Sequence, residues 1–257
     1  MRFRTLTRTL RQIFGMENND EALEPFPMNV VIPPSVLFTV VRSPDHGDPT
    51  KLNLVRYRLV RNGIHDVLFL LFKSTMNQTL YGLVADRVPA TQSTTNLASS
   101  SSISVSSTTS QASSPPVVSV VDEVKSFHVP CEDRWWVYGG GKKKDNVIIE
   151  EPVTPPLTLL HVAAILRAVS RHSPGYTLAR ENCWYYARCS ALLIVLAAQT
   201  DDTDREKLEQ SFLSQTTLLP FPSRATIVED VRKIQRLYDK TVRLTTPPPL
   251  NTHLLSR

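Results

Sequence analysis

The sequence predicts an α+β protein, with a mostly antiparallel sheet and a C-terminal helical layer. Two patterns indicate this class: strand-like runs of β-branched and apolar residues occupy much of the chain up to residue 150, and helical spacing takes over from residue 157. The composition agrees with a globular domain, because hydrophobic residues make up 41% of the 257 residues and charged residues 21%. Three cysteines are too few for a disulfide framework, so reduced thiols are expected.

The chain is predicted to hold a single α+β domain with appendages. Residues 1–35 form a basic amphipathic arm and an irregular lead-in, and the domain spans 36–246. Residues 89–116 contain no charged side chain and are dominated by Ser and Thr, which predicts a disordered loop that interrupts the domain. Residues 247–257 form a Pro-rich tail.

The arm carries most of the formal net charge of +5. Its four arginines precede the first acidic residue, Glu17, and leave the rest of the chain with 25 basic and 24 acidic residues. The domain therefore has no charge signature of nucleic-acid binding. Residues 1–16 also repeat apolar side chains at helical spacing, which is typical of a mitochondrial presequence or a membrane-surface anchor. A frayed tail or a helix docked on the domain is the alternative for the same pattern.

Strands are predicted where β-branched and apolar residues alternate or run continuously. Residues 55–59 alternate with period two, and Asn62-Gly63 supplies a turn before the continuous apolar run at 67–72. The three glycines at 139–141 precede three lysines but lack the spacing of a phosphate-binding loop, so we interpret them as a hairpin loop between strands. The predicted strands are 36–42, 55–59, 67–72, 80–85, 117–129, 134–138 and 147–150.

Four helices are predicted in the C-terminal third. Pro155-Pro156 lead into the first, at 157–172, and Asn182 caps the second, which runs through the apolar stretch 191–198. That stretch is far shorter than the roughly 20 residues that a membrane-spanning helix needs. Thr203 opens the third with a capping box. The fourth presents an apolar face formed by Ile227, Val231, Ile234 and Tyr238.

Cys183 is the residue with the clearest chemical potential. It occupies the first turn of a predicted helix, where free backbone amides and the helix dipole favour the thiolate, the nucleophilic form of cysteine. The same amides can hold an oxyanion that develops on an attacked carbonyl. Cysteine is also among the most frequently buried residue types, so a structural role in the core is the alternative.

Two short segments resemble a known family. Residues 182–187, read as Asn-Cys-Trp-Tyr-Tyr-Ala and preceded by Tyr-Thr-Leu at 176–178, are similar to the cysteine motif of lecithin-retinol-acyltransferase-like and NlpC-type proteins. Residues 63–70, which contain His65, look like the histidine strand of that family, and a similar arrangement recurs in poorly described fungal proteins. The resemblance implies a permuted papain-like fold in which a histidine on an early strand meets a helix-borne cysteine.

The same family orients its histidine with a further polar residue. Gly82 stands where related sequences often place a second histidine, and Asn77 is the candidate for the orienting group. His172 is a rival base, because a turn between helices could bring it toward Cys183. We rank His172 below His65.

The sequence therefore predicts a thiol-dependent hydrolase or acyltransferase that acts on an acyl ester or amide. Cys183 is the predicted nucleophile, His65 the general base, and Asn182 with the first-turn amides the cap and oxyanion support. Two alternatives stay open: a non-catalytic interaction module that keeps the fold, and a membrane-surface protein that acts through its N-terminal basic helix.

Expectations for cofactors, partners and location follow from the same features. No cofactor or metal is expected, because the chain has no Cys-x-x-Cys and Cys131 has no second thiol nearby. The expected partner is an acyl-containing substrate, either lipid or peptide, and not a nucleic acid. An intracellular, cytoplasmic protein is expected, with a mitochondrial or membrane-peripheral location as the alternative that residues 1–16 leave open. The sequence does not determine the oligomeric state.

Overall fold

A six-stranded antiparallel sheet organises the protein. The structure, a computed structural model, describes residues 26–43, 46–62, 65–89, 120–172, 183–198, 210 and 224–243. The strands lie side by side in the order β1-β5-β4-β3-β2-β6, and each neighbouring pair is antiparallel. Their bounds are β1 Val31–Ile32, β2 Leu52–Asn62, β3 His65–Ser74, β4 Leu80–Pro89, β5 Val120–His128 and β6 Asn146–Thr158.

Strand β3 lies in the middle of the sheet and is covered on both faces. Leu68, Leu70 and Phe72 point to one face and join the larger hydrophobic core, whereas Phe69 and Leu71 point to the other face and join a smaller core. All five side chains are buried. This explains why residues 67–72 form a continuous apolar run rather than an alternating one.

Helices cover one face of the sheet as a layer. The described helices are α1 Pro34–Val41, α2 Trp135–Tyr138, α3 Leu159–His172, α4 Cys183–Ala198 and α5 Arg224–Arg243, with short 3₁₀ turns at Pro49–Lys51 and Glu132–Arg134. Helices α1, α3, α4 and α5 contribute buried side chains to the larger core, while Trp135 of α2 packs in the smaller core on the opposite face.

Helix α4 is the central element of the helical layer. It contacts β3, β4 and β6 on one side and α3 and α5 on the other. Every one of its residues except Ala197 is buried. A helix that is apolar nearly all round is enclosed on all sides, and α4 therefore holds its first residue, Cys183, against one end of the sheet.

The packing of the smaller core explains why position 82 in β4 is a glycine. A Cβ atom at this position would lie 2.0 Å from the ring of Phe127, which is far inside van der Waals contact. Only glycine lets the Phe127 ring lie directly on β4. The space beside Gly82 is thus filled by an aromatic ring.

The strand predicted at 36–42 is wrong, because this segment forms α1. Pro34 occupies the first turn of that helix, where its fixed φ and missing amide proton fit. Leu37, Phe38 and Val41 lie on one side of the helix and are buried. Packing of that side against α3 outweighs the strand preference of the β-branched residues.

The strand predicted at 134–138 is also wrong. These residues form the end of a 3₁₀ turn and α2, so the glycines at 139–141 follow a helix and do not link two strands. Strand β6 is longer than expected and contains Pro155 and Pro156, so α3 begins at Leu159 rather than at 157. Prolines are tolerated in β6 because it is an edge strand.

The domain also begins earlier than the predicted boundary at residue 36. Phe26 is buried against the ring of Tyr81, and β1 pairs with β5. The irregular lead-in is therefore part of the fold from residue 26 onward. Four predicted segments lie outside the described residues: residues 1–16, the insertion after Pro89, the tail at 247–257 and, apart from Gln210, the third predicted helix from Thr203.

The coarse prediction is confirmed: the protein is α+β, with an antiparallel sheet and a helical layer that is mainly C-terminal. The strands predicted at 55–59, 67–72, 80–85 and 117–129 lie within or overlap β2, β3, β4 and β5. Within the part of the chain that the structure describes, no helix has the length and apolar character to cross a membrane.

Candidate active site

His65 and Asp86 form a close pair at one end of the sheet. His65 is the first residue of β3, and its Nε2 lies 2.8 Å from Oδ1 and 3.0 Å from Oδ2 of Asp86 in β4. The two strands pair with Leu68 opposite Ala85. Continuing that register puts Asp86 opposite Val67, so His65 and Asp86 are diagonal neighbours on the same face of the sheet.

Cys183, the first residue of α4, reaches this pair at the end of the sheet where β3 begins. Its thiol forms a side-chain hydrogen bond with the imidazole of His65. Because Nε2 faces Asp86, Nδ1 is the ring nitrogen left for the sulfur. Cys183 begins α4 and His65 begins β3, so the contact forms where both elements start.

The environment stabilises the protonated form of His65. The hydrogen bond to Asp86 raises the pKa of His65 most, and the hydrogen bond to Cys183 raises it further, while burial opposes both. The result is a pKa raised from 6.5 to about 10. The imidazole is therefore a cation at neutral pH, placed between a carboxylate and a sulfur.

Asp86 is itself held in place by the backbone. The amide N–H of Arg87 donates to Oδ1 of Asp86 over 2.6 Å. The Arg87 side chain points to the other face of the sheet, where it is buried and donates to both carboxylate oxygens of Asp122. The orienting carboxylate thus belongs to a strand segment that is fixed on both faces.

A second positive group lies near the sulfur. The charge of Cys183 contributes to raising the pKa of Arg61, although the hydrogen bond from Arg61 to Asp66 is the larger cause. Arg61 donates to both oxygens of Asp66, over 2.8 and 3.2 Å. Arg61 and His65 therefore place two cationic groups near the sulfur of Cys183.

The site opens to solvent beside the histidine. The side chain of His65 is 32% exposed and that of Asp86 23%, whereas Cys183 is only 6% exposed. Solvent therefore reaches the imidazole more readily than the sulfur.

The structure places two of the three predicted site residues together and does not describe the third. His65 and Cys183 are in contact, and Asn182 lies outside the described residues. The suggestion that Asn77 orients the histidine is wrong. Asn77 lies in the turn after β3, at the end of the strand opposite to His65, and its Oδ1 accepts from the amide of Thr79.

Three of the other described histidines have partners of their own. Nε2 of His172 lies 3.5 Å from Asp230 of α5, so this rival base is engaged by another carboxylate. Nδ1 of His161 lies 2.7 Å from the hydroxyl of Thr158 at the start of α3. His128 ends β5 and packs against Tyr81.

Sequence reasoning missed Asp86, and a usable signal was present. The turn between β3 and β4 fixes the register of this hairpin, which places an acid six residues into β4 beside the first residue of β3. The predicted strand covered only the apolar run at 80–85 and stopped one residue before Asp86.

In the described part of the chain, no three His, Cys, Asp or Glu side chains are grouped so as to hold an ion. Comparison with protein-family models, curated proteins and solved structures found no match to this chain.

Proposed function

We propose that this protein is a thiol-dependent hydrolase or acyltransferase that acts on an acyl ester or amide. The observation that carries the proposal is the contiguous set Cys183–His65–Asp86, in which a thiol touches an imidazole and a carboxylate holds the opposite ring nitrogen. Nucleophile, proton carrier and orienting group in this order are the arrangement that nucleophilic catalysis by cysteine requires.

The first step transfers the acyl group to the enzyme. The Cys183 thiolate attacks the carbonyl carbon of the substrate, and a carbon–sulfur bond forms as the carbonyl electron pair moves onto oxygen. Free amides in the first turn of α4 support that oxyanion. When the electron pair returns, the bond to the alkoxide or amine breaks, and protonated His65 gives its proton to this leaving group. The products are a thioester on Cys183 and neutral His65.

The second step returns the enzyme to its starting state. Neutral His65 takes a proton from water, or from an acceptor alcohol or amine, and the resulting nucleophile attacks the thioester carbonyl. The carbon–sulfur bond breaks and leaves a thiolate beside a protonated imidazole. Asp86 keeps the ring in place and stabilises its positive charge in both steps. Water gives hydrolysis, and an alcohol or amine gives acyl transfer.

The proposed fold assignment is permuted papain-like. Two features support it: the histidine strand precedes the cysteine helix in the chain, and the cysteine begins a buried helix packed on an antiparallel sheet. Asp86 takes the place of the polar residue that orients the histidine in the family.

A trapped acyl-enzyme tests the proposal. The full-length protein is mixed with p-nitrophenyl acetate at neutral pH, quenched in acid and digested, and the peptides are weighed by mass spectrometry. We expect an acetyl group on the peptide that contains Cys183, and no such adduct in Cys183→Ser. Cys131→Ser is the matched control and should retain the adduct, because Cys131 is exposed and outside the site.

The alternative function, a non-catalytic interaction module, predicts a different result. Acetylation spread evenly over the thiols, or absent from Cys183 while Cys131 reacts, would overturn the enzymatic proposal and favour the module.

A further inference from the structure

The position of helix α4 against the sheet determines whether the two residues of the candidate site meet. Because all but one of its side chains are buried, hydrophobic burial alone discriminates only weakly between rotations and axial positions of the helix. The Cys183–His65 contact needs a particular position. Directional polar contacts are the features that can specify it.

One such contact connects the two site residues through their chain neighbours. Asp66 follows His65 and points to the face covered by helices, where it is fully buried. Nε of Arg188, in α4, donates to Oδ2 of Asp66 over 3.0 Å. The same guanidinium lies 5.2 Å from the centre of the Trp184 ring, and Trp184 follows Cys183. A single side chain thus joins the neighbour of the histidine to the neighbour of the cysteine.

We propose that Arg188, held by Asp66, is a positioning residue that fixes the register of α4 against β3 and thereby keeps Cys183 in contact with His65. This proposal rests on the proposed function. Arg188 is well suited to the task because its planar guanidinium can donate in its plane to a carboxylate while its face packs on an aromatic ring. Burial lowers the pKa of Arg188, but the neighbouring Asp66 carboxylate works in the opposite direction and favours the charged form.

The choice of variant follows from the charges around Asp66. Removing Asp66 would leave Arg61 and Arg188 close together without their shared carboxylate, and loss of folding would be hard to separate from loss of positioning. Removing Arg188 leaves Asp66 paired with Arg61. Arg188→Met keeps much of the side-chain volume and is therefore the better test.

The experiment measures the two groups that Arg188 is proposed to align. In Arg188→Met, the pKa of His65, followed by NMR of its ring protons, should fall by about one pH unit because the hydrogen bond to Cys183 is lost, a tenfold change in the protonation equilibrium. The rate of alkylation of Cys183 by iodoacetamide, measured from pH 5 to 10, should fall at neutral pH. Urea unfolding should remain cooperative.

Arg58→Met is the matched control. Arg58 is similarly buried and donates to Glu150 over 2.9 Å, but it lies on β2 against Trp136 and away from α4. Its loss should leave the His65 titration and the Cys183 profile unchanged. If Arg188→Met behaves like Arg58→Met in both measurements, the proposal is overturned.

Two further variants ensure that the experiment decides between the possible outcomes. If Arg188→Met does not fold, Trp184→Leu removes the ring on which the guanidinium packs and is expected to give the same shifts. His65→Ala separates the two proposals. If His65→Ala leaves the alkylation profile unchanged, the proposed function fails; if it changes the profile and neither Arg188→Met nor Trp184→Leu does, only the positioning role fails.

Discussion

Asp86 follows His65 by 21 residues in the chain, yet both of its carboxylate oxygens lie within 3.0 Å of the imidazole Nε2. The hairpin of β3 and β4 creates this contact, because it sets the two residues diagonally on one face of the sheet. The same imidazole also has Cys183 as a hydrogen-bonding partner. The pair therefore fixes both the charge and the orientation of the proposed proton carrier.

The first prediction concerns the pKa of His65. Asp86→Asn removes the carboxylate that raises this pKa most, so the NMR titration midpoint of the ring should move down from about 10 toward the ordinary 6.5. Glu150→Gln is the control, since it removes one negative charge from the same sheet next to Arg58. A midpoint that does not change in Asp86→Asn would contradict the assigned role of this carboxylate.

The second prediction concerns stability against pH. The native pKa of His65 is raised, so the folded state binds its proton more tightly than the unfolded state does. The resulting stabilisation is complete below about pH 6.5 and is lost as the pH rises toward about 10. The difference in unfolding free energy between wild type and His65→Gln, measured in urea, should shrink across this interval. If this difference in unfolding free energy grows with pH instead, the pKa of His65 is not raised in the folded state.

The third prediction separates the two buried cysteines. Burial raises the pKa of the Cys189 thiol to about 12, and no cationic imidazole is placed beside it as at Cys183. We expect Cys189 to resist iodoacetamide at pH 7 in the native protein, while Cys183 reacts. Quantitative mass spectrometry of the alkylated peptides measures both in one sample, with urea-unfolded protein as the control in which all thiols react. Equal native rates at the two positions would contradict the proposed activation of Cys183.

The fourth prediction concerns the packing of Phe127 on β4. Gly82→Ala places a Cβ atom at 2.0 Å from that ring, so unfolding free energy should fall by about 1–3 kcal/mol. Phe127→Leu should recover part of this loss in the double variant, because the smaller side chain makes room. Additive effects of the two substitutions in urea unfolding would show that the ring and the added methyl group do not compete.

The sequence predicts the central strands and α4 because their apolar runs are long and each is bounded by turn or capping residues. It does not predict α1, since residues 36–42 have the composition of a strand and become helical through packing on α3. The strand prediction for residues 134–138 is wrong for a similar reason. Trp135 lies on a short helix and is buried in the smaller core, which is a tertiary effect that the local sequence pattern does not contain.

The candidate site could likewise be predicted only in part from the sequence. His65 and Cys183 could be singled out because each lies in a short segment with a recognisable pattern. Asp86 and Arg87 have the composition of a loop, and their place in a strand depends on Asp122, which pairs with Arg87 from 35 residues further along the chain. Such a partner becomes evident only when β4 and β5 are brought together.

The rate of alkylation of Cys183 as a function of pH, in wild type and in His65→Ala, tests the central claim most directly. If Cys183 and His65 form a thiolate–imidazolium pair, the alkylation rate of the wild type should change in two steps with pH, and the second step should lie near the titration of His65 at about 10. In His65→Ala the rate at neutral pH should fall, and a single rise should replace the two-step profile. Superimposable profiles for the two proteins would contradict the account.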